Sequence, residues 1–348
     1  MNNFYKNILI VRTDRIGDLI LTLPVARIIK KTYPHSKVSF LVREYTKNIL
    51  QDHPFIDEVL VLEERSNKIP FFSNIKKIKA NKFDACVVVY PKFIVALILF
   101  FSGIKLRIGT GYRWYSFLFN KKVYEHRKYA EKHELEFNIA LLKQLGIDEK
   151  INNRNVDYDL QVNYDSSKKI NELLSTSKFR RDVPLIIVHP GSARSSIDLP
   201  IEKFRELIQK LVKEKFQVVI TGNEQEVELC NTLIVSEEMI NYAGIFNLEE
   251  LMALISKSDM FISNSTGPLH IAAALGKFTV GFYPKIVSCS KERWAPYTIK
   301  KLIYEPEISC SNCTREQCEK LNCMNSINIE KVFQDIKNVF VNKKLETK

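Results

Sequence analysis

The pattern of apolar and polar positions alternates between two periods. Short, nearly unbroken apolar runs occur at 7–12 (NILIVR), 37–42 (KVSFLV), 58–62 and 85–90 (ACVVVY). Their length and β-branched content suit strands buried on both faces of a parallel sheet. Residues 20–31 follow a helical pattern, as do residues 133–145, which Gly146 closes. Between about 148 and 182 the pattern weakens and Asn, Asp, Ser and Lys dominate, which marks a domain boundary. The alternation then restarts, with strands expected at 185–189, 217–221, 260–263 and 279–282 and helices at 201–214, 224–235, 248–256 and 269–275. A last segment, 329–341, sets Val332, Phe333, Ile336, Val339 and Phe340 on one helical face. The chain is therefore read as α/β, with domains at 1–165 and 183–328 and a terminal helical segment at 329–348. Ligands of open parallel sheets bind beyond the carboxyl ends of the strands, so the loops after strands are where the chemistry is sought.

Composition narrows the class. The chain has 348 residues, 45% apolar and 26% charged, enough for about two domains with real cores. Disorder, disulfide miniproteins and fibrous classes are excluded. Lys and Arg exceed Asp and Glu by 52 to 40, a net charge of +12 that favours acidic partners. Residues 65–82 concentrate it: Lys68, Phe71, Phe72, Lys76, Lys77 and Lys79 occur with no acid between Ser66 and Phe83. Followed by the apolar run 93–101, this stretch reads either as a rest for an anionic membrane or as a solvated helix face beside a buried helix. Nine residues are too few to span a bilayer. No secretory leader is evident, so a cytoplasmic location and reduced or metal-bound cysteines are expected.

Four loops carry candidate chemistry. The first, Thr13-Asp14-Arg15-Ile16-Gly17-Asp18, lacks the glycines of a dinucleotide fingerprint. It offers carboxylates (Asp14, Asp18) and guanidiniums (Arg12, Arg15) at a strand end. Asp18 reads either as a helix-start acid or as a general base. The second, Ser263 to His270 (SNSTGPLH), joins a strand to a capped helix start suited to phosphate, with hydroxyls from Ser265 and Thr266. The third, His189 to Ser196 (HPGSARSS), allows close backbone approach at Gly191. The fourth, Thr221 to Glu226 (TGNEQE), ends in a carboxylate able to accept from ribose hydroxyls or to start a helix. Separately, Cys310, Cys313, Cys318 and Cys323 have spacings compatible with a zinc cluster or a reduced structural group. A zinc-dependent nucleic-acid binder is the reading these cysteines and the charge would support together, and the four loops oppose it. Asp157-Tyr158-Asp159 matches a metal-binding D-x-D but lies away from the strand-end loops.

The stretches ILIVRTDRIGDLILTLP (8–24), HPFIDEVL (53–60), HELEFNIALLKQLGI (133–147) and HPGSARSSIDLP (189–200) carry a family resemblance. So do YAGIFNLEELMALISKSDMFISNSTGPLHIAAALGK (242–277), RWAPY (293–297) and the cysteines ending at Cys323-Met324. Over nearly its whole length the chain resembles the glycosyltransferase family 9 heptosyltransferases of lipopolysaccharide core assembly. The resemblance implies a GT-B fold, two Rossmann-like domains with a cleft between them, the last helix crossing back to the first. It implies inverting transfer from ADP-heptose, without a required cofactor or metal, to an anionic lipid-linked saccharide of the Kdo/heptose region. It also implies peripheral placement on the inner face of the inner membrane and no nucleic-acid partner. Asp18 matches the proposed catalytic base and Arg12 a basic residue beside it. Arg12, Arg15, Arg107 and Arg113 are the candidates for acceptor binding. Glu226 matches a glutamate at the donor ribose, and Thr266, Gly267 and His270 match the donor-diphosphate motif, with Gly191, Ser192 and Arg194 in the facing loop. Two positions depart from the family. Ser265 stands where the motif has aspartate, and Ile197 where a basic residue often precedes the proline by three. These keep open a different nucleotide sugar or acceptor, or an epimerase, or a phosphate contact moved to Arg194.

Overall fold

The computed structural model describes residues 5–66, 68–176, 179–180, 182–309 and 314–346. The chain divides into two compact units, residues 1–127 with 131–161 and residues 162–348 with 128–130.

The first unit holds six strands: β1 (Asn7–Val11), β2 (Lys37–Val42), β3 (Glu58–Val61), β4 (Ala85–Val88), β5 (Leu106–Thr110) and β6 (Lys121–Val123). All pair in parallel, in the order β3-β2-β1-β4-β5-β6. β1 lies between β2 and β4, with Ile8 opposite Val38 and Ala85. Both edges of β1 are therefore paired, and since successive residues Ile8 to Val11 are all fully buried, both its faces are covered as well, which is why they are apolar without alternation. β5 and β6 escape the apolar pattern because LRIGT and KKV sit toward the sheet edge, where basic residues blunt further pairing. The helices are α1 (Ile16–Ile20), α2 (Pro24–Thr32), α3 (Phe71–Ala80), α4 (Phe93–Phe101) and α5 (Glu134–Ala140). The helix expected at 20–31 is α2, and the short α1 precedes it. Pro24 opens α2 at its first position, where a missing N–H costs no intrahelical bond.

The second unit contains α6 (Tyr164–Thr176), β7 (Leu185–His189), α7 (Ile201–Lys213), β8 (Gln217–Ile220), α8 (Val227–Asn231), β9 (Ile240–Asn241) and α9 (Leu248–Lys257). After these come β10 (Met260–Asn264), α10 (Gly267–Ala274), β11 (Phe278–Phe282), α11 (Lys291–Trp294), β12 (Lys301–Tyr304), α12 (Arg315–Lys320) and α13 (Ile329–Glu346). Its parallel sheet runs β12-β11-β10-β7-β8-β9. Numbered from β7, this is the same order as the first sheet. In each, the order reverses beside the unit's first strand, between β1 and β4 and between β7 and β10. Such reversals are where open α/β sheets bind ligands.

Two boundaries differ from the sequence reading. Residues 164–176, inside the expected linker, form a helix that belongs to the second unit. Only Ile170 and Leu174 of it are buried, too thin a stripe to stand out, and Lys169 pairs with Glu250 of α9. The last helix, expected on the first domain, packs Val332, Phe333, Ile336 and Phe340 into the second unit's core with Phe204, Leu207 and Leu211 of α7. Ion pairs Lys210–Glu330 (2.6 Å) and Lys337–Glu214 (2.9 Å) flank that seam. An amphipathic pattern shows that a helix has an apolar face; it does not say which neighbour covers it.

Candidate active site

In the first unit the chain leaves β1 at Arg12, whose side chain is 1% exposed. A buried guanidinium needs countercharge, and three carboxylates supply it. Asp14 Oδ1 lies 2.8 Å from Nε, Asp18 pairs with Nη2, and Glu134 Oε1 lies 3.3 Å from Nη1. Asn138 Oδ1 accepts from Nη1 at 3.5 Å. Glu134 and Asn138 stand four apart on α5, so one helical face presents both. His133 and Glu136 form a capping box that fixes the start of this helix. Asn138 also donates to Leu21 O (3.0 Å) and Thr22 Oγ1 (3.2 Å), tying α5 to the turn after α1. Arg127 adds a second guanidinium, pairing with Glu134 and donating to Asn138 Oδ1 at 3.3 Å.

Asp18 lies in the first turn of α1, where an acid suits the helix start, and its carboxylate also meets Arg12. No side chain caps α1. The Asp18 carboxylate, 16% exposed, points to Arg12 and keeps an edge toward solvent. Burial, the largest influence on Asp14, pushes its carboxyl up to about 7. Arg12 opposes the shift, and Asp18 and Glu134 add to it. The cluster thus joins two guanidiniums to three carboxylates, one of which holds its proton up to neutral pH.

The other basic candidates are placed differently. Arg15 is exposed at the N-cap position of α1. Arg113 is exposed in the loop after β5. Arg107 braces that region: Nε donates to Leu118 O at 2.8 Å, Nη1 donates to Ile104 O, and the guanidinium lies 5.0 Å from the Phe100 ring centre. Asp159, from the D-x-D, is held by Arg27 through two 2.8 Å bonds, a pairing within the first unit.

The second unit uses little charge at the equivalent place. The loop after β7 and the loop after β10 are stitched together. Asn264 donates to Pro190 O (2.6 Å) and accepts from the Leu199 amide (2.9 Å), and Ser195 Oγ donates to Ser265 O (2.7 Å). Thr266 caps α10, accepting from the Leu269 amide, and its hydroxyl meets Ser263 Oγ at 2.9 Å. Pro268 has no N–H, so Gly267 is the first-turn amide these interactions leave unaccounted for. Ser192 and Ser196, 8% and 2% exposed, hold hydroxyls in the same loop, and His270 is buried one turn into α10. Gly191 leaves room for Glu226: a Cβ there would lie 1.9 Å from Glu226 Oε1. Glu226 starts a helix and lies beside Gly191. Its Oε2 accepts from the Asn223 amide (2.9 Å) in a capping box, while Oε1 lies against Gly191. His189 is fixed as neutral, since burial pushes it down to about 4.

Arg194 lies in this loop at a positive φ of 60°, next to Ala193 at 46°. Arg315 of α12 holds that strained turn by donating to Arg194 O (3.2 Å) and Ser196 O (2.7 Å). The two arginines flank a pocket of about 380 Å³ with Asp198, whose carboxyl burial raises to about 6. Ile197, where the family often has a basic residue, is 7% exposed and lies in the core. Cys318 and Cys323 are buried in the same core, while Cys310 and Cys313 lie outside the described residues. Among the described residues no His, Cys, Asp and Glu group is placed to hold a metal ion.

Sequence reading singled out Arg12 and Asp18 but passed over Glu134, Asn138, Arg127, Asp198 and Arg315. Glu134 and Asn138 left a faint signal, polar residues four apart among Leu135, Phe137 and Ile139. Arg315 left none, because its partners are backbone carbonyls more than a hundred residues away.

Comparison with known proteins agrees with this geometry. Residues 71–324 match the model of glycosyltransferase family 9 (heptosyltransferase). The lipopolysaccharide heptosyltransferase 1 of Campylobacter coli is 27% identical over 290 residues, 79% of this chain and 83% of that protein. A family 9 glycosyl transferase from Veillonella parvula superposes with a TM-score of 0.82 at 20% identity, covering 98% of this chain and 99% of that one. The Escherichia coli ADP-heptose LPS heptosyltransferase II superposes at 0.78 and 20% identity, covering 97% and 99%. Two parallel α/β units of this order are the GT-B architecture. The chain belongs to glycosyltransferase family 9, and it is a glycosyltransferase of that fold.

Proposed function

We propose that the protein transfers heptose, with inversion, from ADP-heptose to the Kdo/heptose inner core of a lipid-linked lipopolysaccharide acceptor at the cytoplasmic face of the inner membrane. The observation that carries the reading is Asp18: a partly exposed carboxylate in the first turn of α1, paired with the buried arginine that follows β1. Arg12 also meets Asp14 and Glu134, so Asp18 is one of several groups around it.

Asp18 takes the proton of the acceptor hydroxyl as that oxygen bonds to the anomeric carbon. The bond from that carbon to the diphosphate oxygen breaks, and ADP leaves with the electron pair. A well-placed general base is worth roughly 10²–10⁴-fold. The leaving diphosphate gains charge beside Thr266, Gly267, Ser192 and the start of α10, where preorganised donors are each worth about 3 kcal/mol. Glu226 accepts from the ribose hydroxyls, with Gly191 giving it room. Arg15 and Arg113, both exposed in the first unit, are offered to the acidic groups of the acceptor. No step draws on a metal or a cofactor. The enzymes named among the relatives support the donor and acceptor classes.

A second reading is favoured by one feature. With Ile197 buried in the core and Ser265 at the diphosphate motif, the donor site carries less charge than the family pattern. A donor other than ADP-heptose is the corresponding alternative. Incubating the protein with a Kdo-containing lipid A acceptor and a panel of nucleotide sugars decides it. Product from ADP-heptose alone supports the first reading, and product from another donor alone replaces it with the second.

A further inference from the structure

Helix α4 is apolar on every side: its sequence is FIVALILFF. Such a helix is ordinarily enclosed by protein or by lipid. Here only one side is. Val95, Ala96, Ile98 and Leu99 pack into the first unit's core, while Phe93, Phe100 and Phe101 are 39%, 42% and 55% exposed. Phe93, Leu97, Phe100 and Phe101 follow a helical stripe along about 13 Å of surface.

Aromatic contacts extend the stripe at both ends. At one end Phe93 lies 4.7 Å from Trp114, which is 74% exposed. At the other, Phe101 contacts Phe71 (5.8 Å), which contacts Phe72 of α3 (5.4 Å), 81% exposed. Soluble surfaces rarely leave so continuous a run of large apolar side chains open without a partner.

The charge around it selects the partner. Residues 66–124 contain eleven lysines and arginines and one acid, Asp84. Asp84 is engaged by the backbone amides of Lys6 and Asn7 at 2.8 and 2.9 Å. Lys68, Lys76, Lys79, Lys105 and Arg113 are exposed. Aromatic side chains flanked by unopposed cations match the interface of an anionic bilayer, where rings enter the headgroup region and lysines meet lipid phosphates.

We propose that the outer face of α4, with Phe72 and Trp114 at its ends, lies in the surface of an anionic lipid bilayer and holds the first unit there. The proposal rests on the reading of a lipid-linked acceptor and adds the surface by which the protein would reach it. No helix of the described residues is long and apolar enough to cross a membrane, so the mode is in-plane docking.

The test uses the full chain and phosphatidylcholine vesicles with and without phosphatidylglycerol, free of any saccharide acceptor. Binding is read by co-sedimentation and by Trp114 fluorescence, with Trp114→Phe to remove the signal from that residue. The expected result is binding to the anionic vesicles, weakened by salt, with a blue shift absent in the Trp114→Phe variant. The double variant Phe72→Ser/Phe101→Ser should lose about tenfold or more in partitioning at unchanged melting temperature. Absence of binding at low salt overturns the proposal, as does binding that the double variant leaves intact. A self-association in solution that the same variant abolishes also overturns it, by showing that a second copy covers the face. Because the vesicles carry no acceptor, failure here is distinct from failure of the transfer reaction.

Discussion

The two sheets have the same strand order, and each places its candidate site where that order reverses, yet they build those sites from opposite chemistry. Beyond β1 the site is a buried cluster of ions, with Arg12 and Arg127 among Asp14, Asp18 and Glu134. Beyond β7 and β10 the two loops are joined by backbone groups, hydroxyls and one asparagine, with Glu226, Asp198, Arg194 and Arg315 beside them. Topology sets the place and not the means. On the proposed function, the group that moves a proton is held by charge, and the surface that receives an already charged diphosphate relies mainly on oriented dipoles.

Arg12→Met breaks the first half of this comparison most severely. It leaves three carboxylates in a buried site with Arg127 as the remaining countercharge. The expected cost is about 3–5 kcal/mol in unfolding free energy, read by denaturant titration. A loss below 1 kcal/mol would show that the cluster is not held by its ions.

Gly191→Ala sharpens the second half. The added methyl displaces the Glu226 carboxylate, a movable side-chain end, and not the backbone. The donor KM should rise about 10- to 100-fold, the range expected on losing a hydrogen bond to a charged group, with little change in melting temperature. Glu226→Gln should raise it in parallel. Thr266→Ala removes the cap of α10, with an expected loss of about 0.5–2 kcal/mol in stability and weaker ADP binding by calorimetry.

Asp14→Asn gives the most pH-dependent change. The native Asp14 holds its proton to about 7, against 3.8 for an ordinary aspartate. Between those values the unfolded chain binds fewer protons than the native one, so the wild type loses stability from this group as pH rises. The variant does not titrate there. It should gain on the wild type from pH 4 to pH 7 and run parallel above that, in unfolding curves measured across the range.

Much of this was legible in sequence. The apolar runs located β1, β2, β7, β8 and β10 because strands covered on both faces are mostly apolar. β6, β9 and β12 were not, since edge strands of two to four residues need no such pattern. Arg12 and Asp18 were visible because they share one short loop. Glu134, Asn138 and Arg127 complete the same cluster from more than a hundred residues away, a proximity only the fold creates. The exposure of α4 was likewise hidden, because an apolar run looks the same whether one side or both are covered.

The central claim is that Asp18 removes the acceptor proton. Its most direct test is transfer from ADP-heptose to a Kdo-containing lipid A acceptor, followed by mass spectrometry for the protein and its Asp18→Asn variant, both shown to be folded by their melting temperatures. The account expects a heptose mass increment with the wild type and a rate about 10²–10⁴-fold lower with the variant. Equal rates for the two would contradict it.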